Sequence, residues 1–167
     1  LDYARNYAPA EVQQKVFKDQ LGLARELGLP VIIHDRDAHE DTLRILRENG
    51  PFRAGGIMHC FSGDGVLARQ VMDLGFHLSI PGIVTFAKSE VLQQVARDIP
   101  LTRMLLETDG PFLAPVPFRG KTNRPEYLVY TAQKIAELRG IPLSEVVRQT
   151  SRNASEVFRL DPERTLP

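Results

Sequence analysis

The feature that most constrains this chain is a regular alternation of short apolar runs with amphipathic segments. Four runs rich in Val, Ile, Leu or Met are bounded by Gly or Pro: PVIIH (30–34), GGIMHCF (55–61), HLSIPG (77–82) and RMLLETD (103–109). Runs of this kind are typical of buried parallel strands. Apolar residues at helical spacing predict helices over 9–28, 38–49, 64–75, 88–98, 125–139 and 143–159.

Strand–helix alternation favours an α/β fold with a parallel sheet, either a TIM-type (β/α) barrel or a doubly wound sheet. A barrel has eight such units in about 250 residues, whereas this chain of 167 residues shows four and a short strand at 1–3. We therefore predict a single domain, residues 1–167, that covers roughly the C-terminal half of a (β/α)8 barrel. A half barrel exposes two strand edges, so we expect the missing N-terminal half or a second copy of the chain to complete it.

Charge and cysteine content narrow the classes of function. The 21 basic and 21 acidic residues balance, so any site for a polyanion must be local. A single cysteine, Cys60, excludes an internal disulfide and fits a reducing cytoplasm. No apolar run approaches the roughly 18 residues of a membrane span, and we expect no membrane partner.

Polar side chains follow three of the predicted strands at their carboxyl ends, where active sites of parallel α/β folds lie. His34 ends the first run, His59 stands late in the second, and Glu107 and Asp109 end the fourth. Side-chain alternation predicts that Glu107 and Asp109 share a face, and that Cys60 faces away from His59 and packs under a helix. His39 and His77 lie elsewhere and are expected to be structural.

Imidazoles and carboxylates clustered in this way are costly to bury unless a divalent cation neutralises them. Asp109, at the strand tip, is expected to bind a metal or activate its water, and Glu107 to orient a ligand or a base. The mixed nitrogen and oxygen donors do not identify the metal: zinc, manganese, magnesium and iron all fit.

The loop PFRGKTNRPEY (117–127) follows Asp109 and is expected to overhang the same rim. Its bases, together with Arg36, predict a local anion site beside the metal. The residues expected to contact substrate are Arg36, Arg119, Lys121 and Asn123.

Four motifs, LPVIIHDRDA, HCFSG, ETDGPFLAP and RGKTNRPEY, occur in an order and spacing that resembles TatD-type metal-dependent deoxyribonucleases. The resemblance runs from Leu1 to about Leu160. It implies a (β/α)8 barrel of the amidohydrolase-like superfamily with one to three divalent cations (Mg, Mn or Zn). By motif match, His34, His59 and Asp109 correspond to metal ligands.

The activity that the resemblance implies is hydrolysis of DNA phosphodiester bonds by metal-activated water, often exonucleolytic, with single-stranded DNA as the expected substrate. Asp109 and Glu107 would be the catalytic residues. The chain departs from the family pattern because it has no H-x-H pair and begins at the LDY of a GEIGLDY-like motif. Two alternatives stay open: hydrolysis of C–N or ester bonds, such as aminoacyl-tRNA deacylation, and a non-catalytic fragment or assembly module.

Overall fold

The computed structural model describes residues 1–5 and 7–160 and contains alternating strands and helices in that part of the chain. The strands are β1 (Val31–Ile33), β2 (Gly56–Met58), β3 (Phe76–Ile80) and β4 (Met104–Leu106). The helices are α1 (Ala10–Leu27), α2 (His39–Asn49), α3 (Gly65–Asp73), α4 (Glu90–Asp98), α5 (Leu128–Arg139) and α6 (Leu143–Phe158).

The four strands form one parallel sheet in the order β1-β2-β3-β4. Each strand is followed by a helix, and a parallel bridge between Asp2 and Arg36 places the start of the chain beside the end of β1. The α/β class and the parallel sheet predicted from the sequence are confirmed. The predicted helices are found as well, and α1 ends at Gly28, whose φ of 65° completes a left-handed cap.

One face of the sheet forms the main hydrophobic core against the helices. Met58, Phe76, Leu78, Ile80 and Met104 are almost fully buried on this face. The opposite face carries Ile57 and Leu105, which pack with Val157 of α6. This alternation follows from the two-residue period of a strand, and it fixes the register of each strand because a slip by one residue would expose the core set.

The strands are shorter than the apolar runs that predict them. β2 ends at Met58 and β4 at Leu106, although backbone pairing continues beyond both: the amide of His59 donates to Ile33 O (2.9 Å), and that of Glu107 to Ile80 O (3.2 Å). The polar residues of the two runs therefore lie in turns at the carboxyl rim of the sheet. In the described part of the chain, none of the helices is long and apolar enough to cross a membrane.

Gly56 of β2 lies against the side chains of Phe76 and Val31, and no space remains there for a side chain of its own. A substitution at this position therefore tests the packing of the core. A Cβ at Gly56 would lie 2.2 Å from a ring carbon of Phe76 and 2.8 Å from Val31 Cγ2. We expect Gly56→Ala to lower the free energy of unfolding by about 1–3 kcal/mol through overpacking, measured by urea denaturation. Gly22→Ala in α1 is the control, since nothing lies within 4 Å of its added methyl group; an equal loss in both variants would contradict this account.

Candidate metal centre at the carboxyl rim of the sheet

The side chains singled out at the strand ends converge on the imidazole of His59. Its Nδ1 lies 2.9 Å from Glu107 Oε2, and its Nε2 lies 3.6 Å from Asp109 Oδ1. The ring of His34 is 6.0 Å from that of His59, centroid to centroid. Residues from the ends of β1, β2 and β4 thus meet at one point of the rim.

Glu107 determines which nitrogen of His59 is free. A carboxylate only accepts hydrogen bonds, so Nδ1–H donates to Glu107, and the lone pair of the neutral ring is at Nε2. That lone pair faces Asp109, another acceptor. Two acceptors at this separation need a proton or a cation between them.

The pKa of His59 reflects the same arrangement. The hydrogen bond to Glu107 is the main cause that raises it above its ordinary value; burial acts in the opposite direction, and the charges of Glu107 and Asp109 add to the rise. Without a metal, the site therefore holds a proton on His59 to higher pH than a free imidazole would.

His34 is held by a residue that the sequence did not single out. Its Nε2 lies 3.1 Å from Asp2 Oδ2, and Asp2 also accepts from the amide of Ala4. Since Nε2–H donates to the carboxylate, the free lone pair of His34 is at Nδ1. Two sequence signals include Asp2: the short strand at the start of the chain and the LDY of the GEIGLDY-like motif. The bridge between Asp2 and Arg36 positions this strand beside His34.

Cys60 lies at the site, and the expectation that it packs under a helix is wrong. Donor atoms of His59, Cys60 and Glu107 lie within 4.8 Å of one another, and the amide of Cys60 donates to Glu107 Oε2 (3.1 Å). Burial, together with the nearby carboxylates, raises the pKa of the thiol to about 12. The thiol therefore stays protonated at neutral pH in the absence of a cation.

The backbone explains why alternation failed at Cys60. Its φ is 48° and that of Asp109 is 57°, both in the left-handed region that residues other than glycine seldom adopt. A left-handed residue turns the chain, so the two-residue period of the strand no longer applies. Such conformations concentrate at functional sites, and here they turn two rim residues toward His59.

The donor set fits a divalent cation. Glu107 Oε1 is buried and has no hydrogen-bond partner among the described residues, a costly state for a carboxylate oxygen. Nitrogen and oxygen donors of this type bind Zn²⁺, Mn²⁺ or Mg²⁺. The donor atoms that lie within 4.8 Å of one another among the described residues belong to His59, Cys60 and Glu107. His34, His59 and Asp109 as a set of ligands stay a prediction.

Asn123 has a different position from the one expected. Its side chain is buried, and Nδ2 donates to the carbonyls of Thr108 (2.5 Å) and Phe112 (2.7 Å). Both amide hydrogens are engaged, which leaves none for a phosphate oxygen. Asn123 therefore has a structural role instead of the expected contact with substrate: its side chain ties the loop to the end of β4.

The three basic residues expected to contact substrate are exposed. Arg36 follows β1, and its charge opposes the rise in the pKa of Cys60. Arg119 and Lys121 lie in the loop after Asp109, where the Arg119 guanidinium carbon is 4.6 Å from the centre of the Phe86 ring. All three remain predicted contacts for an anion.

His39 and His77 do not join the cluster. His39 Nδ1 contacts Asp35 Oδ2 (2.6 Å), whereas His77 is the second residue of β3, at the opposite end of the strand from the rim. Burial, with the nearby charge of Arg103, lowers the pKa of His77.

Comparison with known proteins places this rim in a family. Residues 1–159 match the family described as TatD related DNase. The chain belongs to the TatD family. It is 47% identical over 161 residues to the uncharacterized metal-dependent hydrolase YabD of Bacillus subtilis, and 44% identical over 164 residues to the similarly named YcfH of Escherichia coli K12.

The solved structure of YjjV, a TatD homologue from Escherichia coli K12, matches this TatD-family chain with a TM-score of 0.90 at 30% identity. A TatD-family hydrolase from Entamoeba histolytica shares the fold, with a TM-score of 0.84 at 21% identity. The TIM-barrel type of α/β fold expected from the sequence is thus confirmed.

The extent of the match differs from the expectation. The aligned region is 96% of this chain and 63% of YabD, and 96% of this chain and 62% of YjjV. The chain therefore spans about three fifths of the length of these relatives. The expectation that it covers only a C-terminal half is not supported.

The hydrogen bond from His59 to Glu107 gives a prediction for the metal-free protein. We expect Glu107→Gln to lower the pKa of His59, because the largest cause that raises it is removed while burial remains. Ring NMR signals followed through a pH titration would measure the change. The control is Glu137→Gln on the exposed surface of α5, and a His59 titration unchanged by Glu107→Gln would contradict the assigned contact.

The buried amide of Asn123 gives a second prediction. We expect Asn123→Ala to lower the free energy of unfolding by about 1–3 kcal/mol, because two carbonyls lose their donor. Hydrogen exchange should become faster in the loop around Phe112. Thr122→Ala, at the exposed neighbouring position, is the control, and equal stability of both variants would rule out the tie to β4.

Proposed function

We propose that this chain provides the catalytic rim of a metal-dependent hydrolase that cleaves phosphodiester bonds of DNA. Cleavage is exonucleolytic and starts at the end of a DNA strand. The observation that carries the proposal is the imidazole of His59 between Glu107 and Asp109 with His34 beside it. The family description names a DNase, and the curated relatives are named metal-dependent hydrolases. Both support the proposal.

Each rim residue has a role in this proposal. His34, His59 and Asp109 hold a divalent cation (Mg, Mn or Zn), and Glu107 fixes the orientation of His59. When bound, such a cation polarises a phosphoryl oxygen and lowers the pKa of water. Asp109 orients the attacking water and accepts its proton at the carboxylate.

The exposed bases account for the choice of an anionic substrate. The chain has no net charge, so attraction of DNA depends on local cations. Arg36 lies at the end of β1, and Arg119 and Lys121 lie in the loop after Asp109, so cations stand on two sides of the rim. They neutralise the phosphate charge that develops as the bond breaks.

The sheet favours a partner that completes the barrel. In the described part of the chain, β4 has no strand on its outer side, and Ile32 of β1 is 63% exposed. Unpaired strands invite further pairing. We propose that the rest of a longer polypeptide or a second copy supplies the remaining strands; a reducing, cytoplasmic compartment fits the free thiol of Cys60.

Asp109→Asn tests the proposed chemistry in the metal-loaded protein. We expect turnover of a DNA substrate to fall by about 100-fold or more, because the amide can neither accept the proton of water nor neutralise a cation. The dissociation constant for DNA should change by much less. Steady-state hydrolysis and binding measured on the same oligonucleotide separate the two effects.

The control is Asp73→Asn, which removes an exposed carboxylate at the far end of α3 and should leave turnover unchanged. Parallel loss of turnover and DNA affinity would count against the role of Asp109. A substrate panel of single-stranded DNA, aminoacyl-tRNA and small amides decides the bond. Hydrolysis of an ester or amide without cleavage of DNA would replace the nuclease proposal.

A further inference from the structure

A cleft of about 440 Å³ lies in the loop that follows Asp109. Its walls include Phe86, Phe112, Arg119 and Lys121. The amide of Phe112 donates to the carbonyl of Asp109 (2.8 Å), which folds residues 109–112 into a β-turn. The cleft therefore begins one turn away from a predicted metal ligand.

Phe112 is an aromatic side chain that the protein leaves exposed. The residue is 67% exposed, although other aromatic residues of the loop pack closely with one another and with α5. Phe118 stacks on Tyr127 with 4.1 Å between ring centroids, and Tyr130 meets Phe118 edge-on at 5.2 Å. The loop is thus held by its own aromatic cluster, and Phe112 lies outside that cluster.

The backbone around Phe112 is fixed on both sides. Asn123 binds the carbonyl of Phe112, and the amide of Val116 donates to the hydroxyl of Thr85 (2.9 Å). These hydrogen bonds hold the backbone that carries Phe112 in place. A ligand that contacts the exposed ring therefore causes little further loss of backbone conformational entropy.

Two cationic side chains, Arg119 and Lys121, line the same cleft. The guanidinium of Arg119 is held over the ring of Phe86, and Lys121 Nζ lies 5.9 Å from the centre of the Phe118 ring. Among the described residues, neither forms an ion pair with a carboxylate. Gly120, with a φ of 84°, lies between Arg119 and Lys121. Because it has no side chain, a ligand can approach its backbone closely.

We propose that this cleft is a nucleotide subsite, in which an unpaired base stacks on Phe112 while Arg119 and Lys121 bind the adjoining phosphate. The inference rests on the proposed function and adds to it Phe112 as a residue that recognises an unpaired base. Stacked aromatic rings combined with cations are the means by which proteins bind single strands without reading their sequence. A base within a duplex has both faces covered, so the subsite selects single-stranded DNA or a frayed end.

The test measures binding rather than cleavage. The full chain, with Mg²⁺, is titrated into a fluorescent single-stranded oligonucleotide with phosphorothioate linkages, and anisotropy gives the dissociation constant. Phe112→Ala should weaken binding about tenfold, and Phe112→Tyr should retain the affinity. Phe158→Ala, which removes a partly exposed ring at the end of α6, is the matched control and should change nothing.

An abasic oligonucleotide separates the base from the phosphate. The unsubstituted chain should bind it about tenfold more weakly than the normal strand, and Phe112→Ala should cause no further loss. Arg119→Ala should weaken binding of both strands. Circular dichroism of each variant checks that the fold is retained.

The outcomes distinguish the two proposals. If the chain binds and cleaves DNA but Phe112→Ala binds as tightly as the unsubstituted chain, the subsite is wrong and the proposed function stands. The subsite is also wrong if Phe112→Ala loses affinity equally for normal and abasic strands. If the chain binds no oligonucleotide with any of Mg²⁺, Mn²⁺ or Zn²⁺, both proposals are wrong.

Discussion

The hydrogen bond between the side chains of His59 and Glu107 is the interaction on which the rest of the rim depends. One carboxylate oxygen accepts from the ring of His59 and from the amide of Cys60. Glu107 follows β4 and the other two residues follow β2, so the bond crosses the end of β3 and joins strands that are not neighbours. It fixes the tautomer of His59 and leaves Nε2 as the ring atom that can bind a cation.

The fold could be predicted from the sequence because each level of organisation indicates the same answer. Apolar runs bounded by Gly or Pro predict strands, and the spacing between them leaves room for one helix each. The rule that parallel strands present their carboxyl ends at one edge then brings His34, His59 and Asp109 together. No pattern in the sequence gives the distances among them, because these depend on sheet twist and on the turns after each strand.

The remaining features of the site depend on backbone conformation and burial, which residue types do not reveal. Side-chain alternation places Cys60 on the helix side only if the strand continues through it, and the left-handed φ of Cys60 ends that alternation. Asn123 has the composition of a phosphate contact, yet its amide is buried between two carbonyls. Asp2 reaches His34 only because the start of the chain pairs beside β1.

The amide of Asn123 has a consequence for redesign of this protein. It binds one carbonyl on each side of the turn that carries Asp109, so the turn and the basic loop form one mechanical unit. A loop transplanted from a relative would need a residue that makes the same two hydrogen bonds as Asn123. Without this clasp, the transplanted segment would shift Asp109 as well as the basic residues Arg119 and Lys121. Insertions are better tolerated near Gly120, at the exposed tip, where a change in length need not reach the clasp.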